Sequence, residues 1–222
     1  RTLSLFLGLA AAWGSAFVAI NAGLAYFPPV LFVAFRFDVA GVAMLAYAAY
    51  AVDDPVPRGR DQWAEVAVGA VFIIAGYHVL LFVGETDPAV TSAVAAVIVS
   101  LSPVLTTGFA RAVLPTERLT AVGALGLLVG LAGAVILANP DPANLTGGGT
   151  VAKLLVLAAA ASFALGSVLT RASDTDIRTE TMEAWSMLLG AGLAHVLAFA
   201  FGESVADAVW TAESVLALGT SR

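Results

Sequence analysis

Residues 3–23 read LSLFLGLAAAWGSAFVAINAG, a run of apolar and small side chains without a single charge. A helix of this length crosses the ~30 Å hydrocarbon core of a bilayer, because each residue adds ~1.5 Å of rise. Further runs of similar length follow at 30–52, 64–84, 89–109, 119–138, 151–170 and 182–201, and another begins near Trp210. The sequence therefore predicts an all-α, polytopic helical membrane protein with seven spans and the start of an eighth.

The composition supports this prediction. Of 222 residues, 60% are hydrophobic and 12% are charged, whereas soluble domains carry about 25% charged residues. A transmembrane β-barrel is excluded because its strands alternate apolar and polar residues, while these runs are apolar on every face. A net charge of −6 argues against nucleic-acid binding, and the absence of cysteine excludes disulfides and thiolate metal sites. We expect no cofactor and no metal.

The basic residues predict the orientation in the membrane. Cytoplasmic loops are enriched in Lys and Arg. If the N-terminus is cytoplasmic, seven Arg residues fall on the inner side and only Lys153 on the outer side; the seven are Arg1, Arg58, Arg60, Arg111, Arg118, Arg171 and Arg178. We therefore expect a cytoplasmic N-terminus.

A segment rich in Gly, Pro and Asn, residues 139–150, divides the chain after the fifth span. We expect residues 1–138 to form a first repeat of five helices, 139–150 an extracytoplasmic linker, and 151–222 a second repeat that is truncated. Because five is odd, a second repeat enters the membrane from the opposite side. Inverted repeats of this kind are typical of secondary transporters.

Several short motifs occur in a characteristic order; they are Trp13-Gly14-Ser15-Ala16-Phe17, Pro28-Pro29 with Ala34-Phe35-Arg36-Phe37, Leu101-Ser102-Pro103 and Glu117-Arg118-Leu119. In these motifs the chain resembles the EamA family of the drug/metabolite transporter superfamily. The resemblance implies ten helices in two inverted halves of five, which move small metabolites, often outward, across the cell membrane of a prokaryote. The chain departs from the family pattern at Asp38 and in lacking the final helices.

Two charged residues lie inside the second span. A charge near the centre of a membrane helix costs ~2.5–3.5 kcal/mol, so Arg36 and Asp38 each need a partner or water. They lie ~200° apart around the helix and are not expected to pair with each other. Arg36, His78 and His195 all lie ~10 Å below the outer surface, which predicts one polar cavity with Asp38 slightly deeper. The alternatives are that Arg36 extends to lipid headgroups and that each histidine bonds a backbone carbonyl.

The same residues suggest how transport works. The guanidinium of Arg36 matches a carboxylate in geometry, which favours an anionic substrate. Asp38 with the histidines is a candidate proton relay, because carboxylates and imidazoles carry protons in transporters. A proton is therefore a candidate coupling ion.

Four further residues complete the predicted substrate path. Trp13 lies ~15 Å deep, away from either interface, where it either packs between helices or lines the path. Ser15 and Ser100 offer hydroxyls to a substrate or bond carbonyls of their own helices. Pro103 removes a backbone hydrogen bond within the fourth span and is expected to bend it.

The favoured function is a secondary transporter, expected to be an exporter, that alternates access to a polar cavity between two inverted repeats. An intramembrane enzyme is the first alternative, but the sequence has no GxSxG serine and no HExxH pair. A channel is the second, and no selectivity segment is visible. No Walker A motif is present, so the chain itself does not hydrolyse ATP through one. The expected partners are a small-molecule substrate and the lipid bilayer, while the oligomeric state stays open.

Overall fold

The computed structural model describes residues 2–114, 120–138 and 148–212, and every regular element in these ranges is helical. Residues 139–147 of the predicted linker and the predicted eighth span after residue 212 lie outside the described residues. The elements are α1 (Thr2–Gly23), α2 (Pro29–Ala51), α3 (Gly59–Val68), a π-helix (Gly69–Gly76), α4 (Tyr77–Gly84), α5 (Ser92–Val99), α6 (Ser102–Val113), α7 (Ala121–Ala138), α8 (Gly148–Ala172), α9 (Thr179–Ala200) and a 3-10 turn (Val205–Asp207).

These elements form seven rods at the positions of the seven predicted spans. The third rod is α3, the π-helix and α4 in sequence, and the fourth is α5 followed by α6. Five rods are long and apolar enough to cross a membrane; they are Pro29–Ala51, Gly59–Gly84, Ser92–Val113, Gly149–Ala172 and Thr179–Ala200. The predicted all-α fold of a multi-pass membrane protein is confirmed.

The π-helix in the middle of the third rod packs tightly against α8 and α9. Side chains from these neighbours bond backbone carbonyls of the third rod: Ser162 on α8 donates to the carbonyl of Phe72 at 2.8 Å, and Ser186 on α9 donates to that of Val66 at 3.1 Å. Each carbonyl also accepts a backbone N–H, from Tyr77 to Phe72 and from Gly69 to Val66, so the serine hydroxyl is its second donor. The irregular backbone is thus stabilised by contacts with the neighbouring helices.

The fourth rod is broken where the sequence predicted a bend. α5 ends at Val99, and α6 restarts at Ser102 with Pro103 in its first turn, where the missing N–H of proline leaves no unpaired donor. The serines at the break bond nearby carbonyls: Ser100 donates to Val97 at 2.6 Å, and Ser102 donates to Val99 at 2.7 Å. The break is therefore internally satisfied.

One end of the bundle, which we name the Glu85 end, is fastened by Glu203. α2 starts at Pro29, and the next backbone N–H groups have no acceptor within the helix. The Glu203 carboxylate, which follows α9, accepts from Val30 N–H at 3.2 Å and from Leu31 N–H at 2.8 Å. A carboxylate at this position also interacts favourably with the helix dipole. The contact joins the second rod to the seventh.

The opposite end, which we name the Glu65 end, is fastened by the loop between α8 and α9. The Thr175 hydroxyl donates to the Glu65 carboxylate, and Gln62 donates to the Asp176 carboxylate at 2.8 Å. Nearby, the indole N–H of Trp185 donates to the carbonyl of Pro55 at 2.8 Å. At this end the third rod is thus linked to the loop between α8 and α9, and α9 is linked to the loop before α3.

The apolar core is concentrated towards the Glu85 end. Phe32 on α2 and Phe82 on α4 are fully buried there, with ring centroids 5.2 Å apart. Val156 on α8 is buried in the same cluster. This core forms a dense layer directly beside the residues of the candidate site.

Candidate functional site

A cavity of about 390 Å³ lies between the rods of the first half and those that follow residue 148. It is bounded by α1, α2, the π-helix, α4, α8 and α9, and its lining includes Trp13, Arg36, Tyr77, His78, Phe163 and Glu183. Its volume falls in the range of small-molecule sites, ~300–1,000 Å³. The walls are largely apolar or aromatic, and the few polar groups are therefore the ones that orient a ligand.

Arg36 is the buried cation of this cavity. Its side chain is 6% exposed, and its guanidinium carbon lies 5.5 Å from the ring centroids of both Phe32 and Phe82. Nε and Nη1 are buried without a hydrogen-bond acceptor among the described residues. Buried guanidinium groups are normally paired, because removing a charge from water is costly. The arrangement fits an anion bound from the cavity.

His78 lines the same cavity and is near enough to Arg36 for their charges to interact. Its Nδ1 donates to the carbonyl of Ile74, one turn earlier, at 2.9 Å. The ring packs against Phe37, with centroids 4.5 Å apart. The sequence left open whether His78 faces the cavity or bonds a backbone carbonyl, and the structure shows both.

Asp38 and His195 form a separate contact. His195 Nε2 on α9 lies 2.8 Å from Asp38 Oδ2 on α2, and both side chains are partly exposed. Neither residue lines the cavity that contains Arg36. The partner of Asp38 is therefore His195, which lies on another rod. Of the three residues predicted at one depth, Arg36 and His78 line the cavity, whereas His195 lies outside it.

Trp13 lines the cavity opposite α8. Its ring meets Phe163 edge to face at 6.5 Å, and 55% of its surface stays exposed. Ser15 lies on the exposed side of α1 and does not line the cavity. Ser100 and Pro103 lie at the break of the fourth rod, away from the cavity lining. Of the predicted path, the cavity brings together Trp13, Arg36 and His78.

Glu85 is the residue of this region that the sequence did not single out. It follows α4 directly, is 4% exposed, and has two carboxylate oxygens without hydrogen-bond partners among the described residues. Its charge interacts with that of Arg36. In the sequence it sits in the turn Gly84-Glu85-Thr86-Asp87-Pro88, a pattern typical of exposed loops, so no local signal indicates its burial.

Within residues 2–114, 120–138 and 148–212, no three His, Asp or Glu side chains come together as candidate metal ligands.

Residues 1–139 match the EamA-like transporter family. The chain belongs to this family. The match covers α1 to α7 and includes Trp13, Arg36, His78 and Glu85, whereas Glu183 and His195 lie beyond it. The structural observations and the family agree on a multi-pass membrane protein that takes part in transport.

Individual EamA relatives extend the comparison. The uncharacterized transporter YoaV of Bacillus subtilis is 25% identical over 206 residues, which cover 93% of this chain and 69% of YoaV. The uncharacterized inner membrane transporter YedA of Escherichia coli is 30% identical over 157 residues, which cover 70% of this chain and 48% of YedA. A protein of known crystal structure matches with a TM-score of 0.67 at 26% identity, covering 96% of this chain and 71% of the other.

Proposed function

We propose that this EamA protein carries small organic anions across a prokaryotic cell membrane, with Arg36 as the group that binds the anion. The observation that carries the proposal is a buried guanidinium on a cavity between the two halves, whose Nε and Nη1 have no hydrogen-bond partner among the described residues. A carboxylate presents two oxygens in the geometry of the guanidinium fork. The aromatic walls formed by Trp13, Tyr77 and Phe163 fit a substrate with an apolar body.

Alternating access is the mechanism within this proposal. The cavity is bounded by rods from both sides of residue 139, and transporters built from inverted repeats bind substrate at such an interface. We propose residues 1–138 and 151–222 as the two repeats, the second incomplete, joined by the extracytoplasmic linker 139–150. The bias of Arg residues supports a cytoplasmic N-terminus, which puts the Glu65 end inside and the Glu85 end outside. Export is the proposed direction.

Proton coupling is the last part of the proposal. Asp38 and His195 join α2 to α9. Their carboxylate and imidazole lie 2.8 Å apart, so the strength of this contact depends on which of the two groups carries a proton. A proton there acts on the packing of the two rods rather than on the substrate, because the pair lies outside the cavity.

The anion proposal is tested by binding to the purified protein in nanodiscs. Isothermal titration at pH 6.5 uses acetate, hexanoate and benzoate, each compared with its uncharged amide. We expect one or more carboxylates to bind more tightly than the matching amide. Arg36→Gln should weaken carboxylate binding about 10- to 100-fold, the loss expected for a charge-assisted hydrogen bond.

The controls separate charge from fold. Arg60→Gln removes an exposed guanidinium at the Glu65 end and should leave the affinities unchanged. Arg36→Gln should keep the wild-type affinity for whichever amide binds, and a monodisperse elution profile. Equal affinity of wild type and Arg36→Gln for every carboxylate would show that Arg36 does not bind the anion.

A further inference from the structure

Arg36 and Glu85 are buried side chains of opposite charge, and each of them lines a different cavity. Arg36 lines the cavity of about 390 Å³ described above. Glu85 lines a second cavity of about 460 Å³ at the Glu85 end, together with Asn21 on α1 and Ser92 on α5. Arg36 and Glu85 are 6% and 4% exposed, and both carry buried polar atoms without partners among the described residues.

The surroundings of Glu85 leave Arg36 as the cation that faces it. Arg36 on α2 interacts electrostatically with Glu85. Tyr77, which lies on the same rod as Glu85, does so as well. Asp87 lies in the same loop and cavity. Another basic residue of this region is Lys153 on α8. It directly follows Ala152, whose carbonyl packs against Gly84, the residue before Glu85. Among the described residues, Glu85 is therefore the carboxylate whose charge acts on the guanidinium.

We propose that Glu85 is a proton-binding group that competes with the anionic substrate for Arg36, so that the protein binds the anion together with one proton. Arg36 packs against Phe82, and Glu85 follows Phe82 by three residues on the same side of the third rod, so an ionised Glu85 acts as a counter-charge to Arg36. When an anion reaches Arg36 from the cavity, Glu85 takes up a proton and becomes neutral. One negative charge and one positive charge are added, so the charge of the site does not change.

The chemical reason is the cost of like charges in an apolar environment. An ionised Glu85 and a bound carboxylate on the same guanidinium repel each other, and one arginine does not compensate two buried anions. Protonation of Glu85 removes the repulsion. This inference rests on the proposed anion site at Arg36 and adds the second ligand of that site, a proton.

The acidity of Glu85 is consistent with this competition. Burial raises the pKa of Glu85 to about 8, although the positive charge of Arg36 acts to lower it. An anion on Arg36 cancels that lowering effect and raises the pKa further. The free site therefore loses its proton above about pH 8, whereas the anion-bound site keeps it at higher pH.

A transport consequence follows. If the anion and the proton leave together on the other side of the membrane, each monocarboxylate moves with one proton and without net charge. The sum of the anion and proton gradients then sets the direction of transport, so export requires an outward anion gradient larger than the inward proton gradient, and the membrane potential alone does not drive it.

The test measures carboxylate affinity and proton uptake in the wild-type protein. The probe is whichever of acetate, hexanoate and benzoate binds most tightly at pH 6.5. For a competing group with a pKa of about 8, the dissociation constant should rise about 30-fold between pH 6.5 and pH 9.5. Titrations in buffers of different ionisation enthalpy should show close to one proton taken up per anion at pH 9.5 and close to none at pH 6.5.

Variants identify the group. Glu85→Gln mimics the protonated side chain, so it should bind the carboxylate at pH 9.5 within about threefold of its affinity at pH 6.5, because the linked proton is gone. Asp87→Asn is the matched control: it removes a carboxylate from the same loop, keeps an oxygen for the Ala89 N–H, and should retain the wild-type pH dependence.

The outcomes distinguish the two proposals. If no carboxylate binds at any pH, or if Arg36→Gln binds as tightly as wild type, the anion site itself is wrong and the proton linkage falls with it. If carboxylates bind through Arg36 but the wild type takes up no proton at pH 9.5, the Glu85 proposal alone is overturned. The same conclusion follows if Glu85→Gln keeps the wild-type pH dependence.

Discussion

The free-energy cost of burying the charges of Arg36 and Glu85 depends on the groups that surround them. An unpaired ion in an apolar interior costs several kcal/mol, and both side chains are almost fully buried. The rings of Phe32 and Phe82 offset part of the cost for the guanidinium through cation–π contact. The remaining cost favours any ligand that supplies the missing counter-ion, which is the physical basis of the proposed binding site.

At the same scale, Asp38 provides a test of proton coupling that is separate from ligand binding. Asp38→Asn keeps a side chain of the same size beside His195 but removes its charge. In proteoliposomes, we expect transport by this variant to be slower than wild type under the same pH gradient, because a proton no longer acts on the packing of α2 against α9, while carboxylate binding in nanodiscs keeps its wild-type pH profile. Asp61→Asn, an exposed acid at the start of α3, serves as control. Transport by Asp38→Asn at the wild-type rate across a range of pH gradients would contradict a coupling role for this pair.

At the scale of the elements, the π-helix sets how closely the third rod approaches its neighbours. A Cβ atom added to Gly190 on α9 would lie 2.4 Å from a side-chain carbon of Ile74 and 3.2 Å from the Ala70 carbonyl oxygen. A Cβ atom added to Gly76 would lie 2.5 Å from the hydroxyl oxygen of Ser162. Glycine at these positions is required by close approach of the helices and is typical of membrane helix packing.

This contact predicts a difference between two glycines on the same helix. Gly190→Ala should lower the free energy of unfolding by about 1–3 kcal/mol, the range found when a packed core is overfilled. Gly192→Ala is the matched control, because a Cβ atom there meets nothing within 4 Å. Reversible unfolding in mixed micelles measures both. Equal stability of the two variants would show that the third rod and α9 are less tightly packed than described.

For the whole molecule, the proposed orientation is directly testable because the chain contains no cysteine. Single cysteines are introduced at Ala206 in the loop of the Glu85 end and at Val56 in the loop of the Glu65 end, both exposed. In intact cells, a membrane-impermeant maleimide should label Ala206→Cys, whereas Val56→Cys should react only after permeabilisation. The reverse labelling pattern would place the N-terminus outside.

The sequence alone predicts the seven rods because apolar runs near the thickness of a bilayer have few other stable structures. It also indicates the break before Pro103 and singles out Arg36, since a charge within an apolar run demands a partner wherever the helix is placed. The π-helix lay outside that prediction. The run around Gly69–Gly76 is as apolar as its neighbours, and what distinguishes it is its packing against Ser162 on α8 and Gly190 on α9.

Thus the local pattern determined which segments are helical and which charges are unusual, because hydrophobicity and desolvation act on each segment separately. Only the tertiary structure decided the partners. It placed His195 against Asp38, kept both outside the Arg36 cavity, and buried Glu85 in what reads as a surface turn. These contacts join residues that are far apart in the chain, and the burial of a side chain depends on the neighbouring helices that pack over it.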